Sequence, residues 1–203
     1  MKTFFAGVML SVGFLALPAP AQEKLSREDA LKYAFVTCNN LQEMVGTPIP
    51  SDPDVKRPVV VKDGDYGGML LPEGKLCAET FAKMDKDAKS IGQLWMNKLT
   101  FLKDGEVVPG SKLRTVRVNA GGEEHPVTCT TLGARKNGDG VLELVIYGKG
   151  AEPLLTVPLR TVSEDAGEMA DMSAERTDQG AKLKLTFIGK YEATLPVTDP
   201  DRY

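Results

Sequence analysis

The chain has 203 residues, with 25 Lys+Arg against 28 Asp+Glu, a formal net charge of -3 and three cysteines. Hydrophobic residues at 42% and charged residues at 26% are the composition of a globular chain, not of a disordered or collagen-like one. A charge this close to balance argues against nucleic-acid and membrane-surface binding, which draw on a basic excess, and three cysteines are too few for a disulfide-dense miniature scaffold.

Lys2 supplies a short positive region, Phe4 to Leu17 is an uncharged apolar run, and Ala19-Pro20-Ala21 is a small-x-small cleavage site before polar Gln22. That layout is a secretory signal peptide. The apolar run is about 14 residues, where a spanning helix needs about 20. The expectation is a signal peptide over residues 1–21, removed on export. The product is then periplasmic or secreted, with no membrane span after cleavage. Residues 22–203 are expected to form a single α+β domain, with a helical part over 22–92 and a β-rich part over 93–203.

Ser26 to Val45 has the pattern of a helix. Ser26 is placed to cap it, Glu28 and Asp29 suit the positive end of its dipole, and Leu31, Ala34, Phe35, Cys38, Leu41 and Val45 recur at helical spacing. Gly46, Pro48 and Pro50 stop it. Thr47 to Arg57 is rich in Pro and Asp and reads as a loop. Pro58 to Lys62 is a β-branched run closed by an Asp63-Gly64 turn, and Gly67-Gly68 adds backbone freedom. Gly74 to Lys89 is predicted as a second helix, with Cys77, Phe81 and Met84 on one face.

From Gln93 onward the period is two. Trp95, Leu99 and Phe101 fall on one face of the first segment, and Asp104-Gly105 turns the chain. Strands are expected over Leu113–Asn119 and over Val127–Ala134. Asn137-Gly138-Asp139-Gly140 then turns the latter into a strand over Val141–Tyr147. Leu155, Val157 and Leu159 mark another strand, on an edge or at a bulge because Pro158 lies within it. Met169–Thr177, Ala181–Ile188 and Tyr191–Val197 complete the set. About eight strands with one polar face and short turns imply antiparallel pairing. A sandwich, a closed barrel, or a sheet covered by helices would each bury the apolar faces. The preferred reading is α+β: two N-terminal helices packed on a mostly antiparallel meander or barrel.

Few residues carry chemistry. The single histidine, His125, follows Glu123-Glu124 in a Gly-rich turn. Cys129 lies four residues on, about 13 Å along an extended strand and out of hydrogen-bond reach, so a Cys-His dyad is disfavoured. Glu123, Glu124 and His125 lack metal-site spacing. Zinc held by Cys38, Cys77, Cys129 and His125 would need thiols kept reduced in an oxidising compartment. Asp52, Asp54, Asp63 and Asp65 lack calcium-loop spacing, and Asp63-Gly64 is explained as a turn. No nucleophile-elbow, phosphate-loop, metalloprotease or dinucleotide motif is present. No catalytic residue, metal site or cofactor is therefore assigned. Cys38 and Cys77, on two apolar helix faces, are the first disulfide candidates; their bond would close a loop of about 40 residues worth at most ~4 kcal/mol. Cys129 is either free or the alternative partner of one of them. Trp95 and Tyr147 line a ligand cavity if the meander closes, or otherwise pack in the core.

The expected function is an exported non-catalytic binding module of the periplasm or cell envelope, its partner an unidentified small ligand or envelope protein. An exported hydrolase with a site built from distant acids or His125 is the first alternative. A structural envelope protein docked to a partner is the second.

Overall fold

The computed structural model describes residues 22–39, 47–162 and 167–202. The predicted signal peptide, and Leu41, Val45 and Gly46 of the first predicted helix, lie outside them. Strands β1 (Glu23–Lys24), β2 (Val59–Asp63), β3 (Tyr66–Pro72), β4 (Lys89–Asn97), β7 (Thr115–Ala120), β8 (Glu123–Lys136), β9 (Leu142–Tyr147) and β10 (Pro153–Pro158) form the larger sheet. Its order is β1-β2-β3-β4-β8-β9-β10, and long β8 also pairs with β7 through its first residues. The smaller sheet contains β5 (Thr100–Lys103), β6 (Glu106–Val107), β11 (Arg160–Thr161), β12 (Ala170–Thr177), β13 (Gly180–Phe187) and β14 (Tyr191–Thr198), in the order β12-β13-β14-β5-β6 with β11 also on β14. Every ladder among the described residues is antiparallel.

The two sheets share one core. Val59, Val61, Leu70, Leu94 and Met96 of the larger sheet meet Met172, Leu183, Leu185, Phe187, Leu195 and Val197 of the smaller. The alternate residues of the larger sheet build a second cluster on its outer face: Val60, Met69, Leu71, Trp95, Val116, Val118, Val127 and Cys129. Helix α1 (Arg27–Asn39) covers that cluster with Ala30 and Ala34. Ser26 caps it, its Oγ accepting from the Asp29 amide at 3.2 Å. A bulge between Ser90 and Gly92 shifts the phase of β4, which brings Ile91 to the inner face with Leu94.

Several expectations are corrected. The β-rich architecture stands, but it is two packed sheets rather than one meander carrying two helices. Strands β1, β3 and the start of β4 lie in the part expected to be helical, and β2 matches the β-branched run read over Pro58–Lys62. The second helix is only α2 (Ala78–Ala82). The Asp85 carboxylate accepts from the Asp87 amide at 2.9 Å, a local turn that competes with further helix. The face of α1 is rotated: Ala30, Ala34 and Thr37 are buried while Phe35 is 70% exposed. Trp95 and Phe101 do not share a face. Lys98, at φ +53°, turns the chain from β4 in one sheet to β5 in the other, leaving Trp95 in the outer cluster and Phe101 in the core. Pro158 ends β10, an edge strand.

Candidate functional site

Between the sheets, at the edge where β2 and β3 face β12 and β13, lies a cleft of about 360 Å³. Its floor is Val61, Leu99, Ala174, Ala181 and Leu183, with the β3 glycines Gly67 and Gly68. Val61 and Leu183 are buried inner-face residues of β2 and β13 at the rim of the shared core, and Leu99 lies in the turn between β4 and β5. Across the mouth, Arg176 on β12 reaches Asp63 at the end of β2, with Nε at 2.6 Å from Oδ2 and its Nη2 donating to Oδ1. This bidentate fork ties one sheet to the other. On the far side Tyr66 donates its hydroxyl to Asp199 Oδ2 at 2.6 Å.

These pairs set the protonation states. The Arg176 guanidinium holds the Asp63 carboxyl below the usual range. The Tyr66 hydroxyl, with the Asp201 amide, does the same for Asp199, and the Asp199 charge raises Tyr66. Both carboxylates stay ionised near neutrality, so neither is set to donate a proton as a general acid. Lys62 and Arg202 add positive charge to the lining, giving three cations to two carboxylates. Gln22 also lines the cleft, and its Oε1 is buried without a hydrogen-bond partner. A buried acceptor left unmet costs on the order of 1–3 kcal/mol, and a donor on a bound molecule would recover it.

The residues singled out from sequence lie elsewhere, apart from Asp63. His125 is exposed on β8 opposite Val118, while Cys129 on the same strand is buried in the outer cluster, so no dyad forms. Glu124 pairs with Arg117, and among the described residues no group of three His, Cys, Asp or Glu could hold a metal. Asp54 pairs with Arg57 and Asp65 with Lys98. Trp95 donates to Gln93 Oε1 at 3.1 Å in the outer cluster, and Tyr147 is buried against Gly133, so neither lines the cleft. All three cysteines are free thiols. The expected Cys38–Cys77 bond is absent because the residues belong to different layers. Cys38 packs on the outer cluster, whereas Cys77 is exposed beside α2, which Phe81 anchors in the core between the sheets. The cleft itself escaped the sequence reading because its lining comes from segments about 20 to 80 residues apart; the Asp63-Gly64 turn was the only local signal.

No protein-family model matches the chain, no curated protein is significantly similar to it, and no solved structure matches it at that level.

Proposed function

We propose that the protein is an exported, non-catalytic binding module whose inter-sheet cleft takes a small amphiphilic organic acid. The observation that carries this reading is the combination of an apolar floor with a cationic excess at the rim and one unmet buried acceptor, Gln22 Oε1. The apolar body of the ligand would lie over Val61, Ala181 and Leu183, its carboxylate toward Lys62 and Arg202, and a hydroxyl or amide donor against Gln22. Largely apolar concave surfaces with a few placed polar groups are what small-molecule sites consist of.

Hydrolysis has less support, because the acids in the cleft are both engaged and both ionised. Docking to an envelope partner has less as well. Among the described residues the exposed large hydrophobics, Phe35, Val36, Val55, Tyr66 and Val141, are spread over α1, a loop, the cleft mouth and the β8–β9 turn, and scattered apolar residues are ordinary surface.

Native mass spectrometry on the full chain, exported by its own N-terminal segment, tests the reading. A retained mass released on denaturation, together with calorimetric binding of decanoate, is expected. Ala181→Phe fills the cleft and should weaken decanoate at least tenfold with the thermal midpoint nearly kept. A protein that carries no mass and binds no organic acid refutes the proposal.

A further inference from the structure

Cys38 and Cys129 come from opposite ends of the fold's construction, one near the end of α1 and one in the middle of β8, yet both pack in the same outer cluster. Trp95 lies directly across the ladder from Cys129, and α1 closes over the row with Ala30 and Ala34, with Tyr33 and Cys38 packed beside them. Cys129 is 4% exposed and Cys38 is half-buried at the edge of the cluster, so solvent and small oxidants reach Cys38 first. We propose that Cys38 and Cys129 are an oxidation site that closes to a disulfide and locks α1 onto the larger sheet.

The chemistry balances with glutathione disulfide as oxidant. The Cys38 thiolate attacks one sulfur of glutathione disulfide, breaking its S–S bond and releasing one glutathione thiolate. Cys129 then attacks the Cys38 sulfur of the mixed disulfide. Its proton leaves with the second glutathione, and the protein is two hydrogens lighter. Burial raises both thiols, Cys129 to about 12; the Arg114 guanidinium pulls Cys129 down and the Cys38 charge pushes it up. Few thiolates exist at neutral pH, so closure is slow without an exchange catalyst. Cys77 behaves differently: exposed, and with the Thr80 hydroxyl lowering its pKa, it is the fast-reacting thiol and takes glutathione without a resolving partner.

The full chain and its Cys77→Ser variant are incubated folded in a glutathione redox buffer, quenched with acid, alkylated and digested without reduction. The expected product in both is a peptide joining Cys38 to Cys129. The oxidised Cys77→Ser protein should melt on the order of 10 °C higher than its reduced form, since the bond closes a long loop. Cys38→Ser, at a half-exposed position that tolerates the change, should leave Cys129 reduced throughout. A bond that includes Cys77, a glutathione adduct on Cys38 that never resolves, or full alkylation of Cys38 and Cys129 after oxidation overturns the proposal.

Discussion

Gly180 opens β13 at φ +145°, and a Cβ added there meets the Val197 carbonyl oxygen at 2.2 Å. Strain and collision act together at one atom, and the obstacle is backbone, which cannot rotate away. Gly180→Ala should therefore cost about 3 kcal/mol, read as a lower urea midpoint, and an unchanged midpoint contradicts it. Cys129 gives a residue-scale prediction of another kind. Burial pushes its thiol up to about 12, while an unfolded cysteine titrates near 8.5. The unfolded chain then loses a proton that the folded chain keeps. The resulting stability is whole below pH ~8.5 and is lost as pH rises toward 12, at up to ~1.4 kcal/mol per pH unit. Tyr33, also raised by burial, acts in the same direction but only above pH ~10. Between pH 8.5 and 9.5 reduced wild type should lose stability more steeply than Cys129→Ala; parallel slopes would show that Cys129 is not the group responsible.

Helix α2 is five residues long, too short to stand on propensity, and persists because of what it inserts. Phe81 is fully buried, stacked on Tyr191 of β14 with centroids 4.3 Å apart and tilted to Phe187 of β13 at 6.4 Å. Phe81→Ala should cost about 3–5 kcal/mol, whereas Lys83→Ala on the exposed side should change the urea midpoint little. Comparable losses at the two positions would mean that the helix, not its wedge, is what matters. This element also marks where the sequence was legible. Phe81 and Met84 are buried as their spacing implied, but Cys77, read on the same face, is exposed, and the length of the helix was not visible, because the Asp85 turn is a side-chain event and not a change of period. The β-strands from Thr115 onward were legible for the opposite reason. Lys182 and Lys184 point to water between Leu183, Leu185 and Phe187, so alternation survives in the letters. Strands β3 and β4 lie between two apolar clusters, and Met69-Leu70-Leu71 and Leu94-Trp95-Met96 therefore read as unbroken runs. The cleft was least legible, since no local pattern records which distant segments the fold brings to one rim.

At the scale of the molecule, the larger sheet carries two separable loads. Its inner face belongs to the sandwich and would exist without α1. Its outer face is apolar only because α1 is there to cover it. The helix docks through Ala30 and Ala34, with Tyr33 and Cys38 packed at the side of the same cluster, and a single charge in the middle of that face should release it. Ala34→Asp places a carboxylate against Trp95's cluster, where its desolvation cost exceeds what the alanine contacts return. The expected outcome is release of α1 with the sandwich intact. Trp95, the one tryptophan, should shift to longer emission wavelength, and an apolar dye should bind the uncovered face. Amides of β13 and β14, whose core is on the other side, should keep their exchange protection. If their protection falls together with the Trp95 change, the helix and both sheets form one cooperative unit, and the two-layer account of the larger sheet is wrong. If Trp95 emission stays as in wild type, α1 does not need its alanine face to dock. The same variant also bears on the thiols: with α1 released, Cys38 no longer waits beside Cys129, and the proposed bond between them should close more slowly than in wild type.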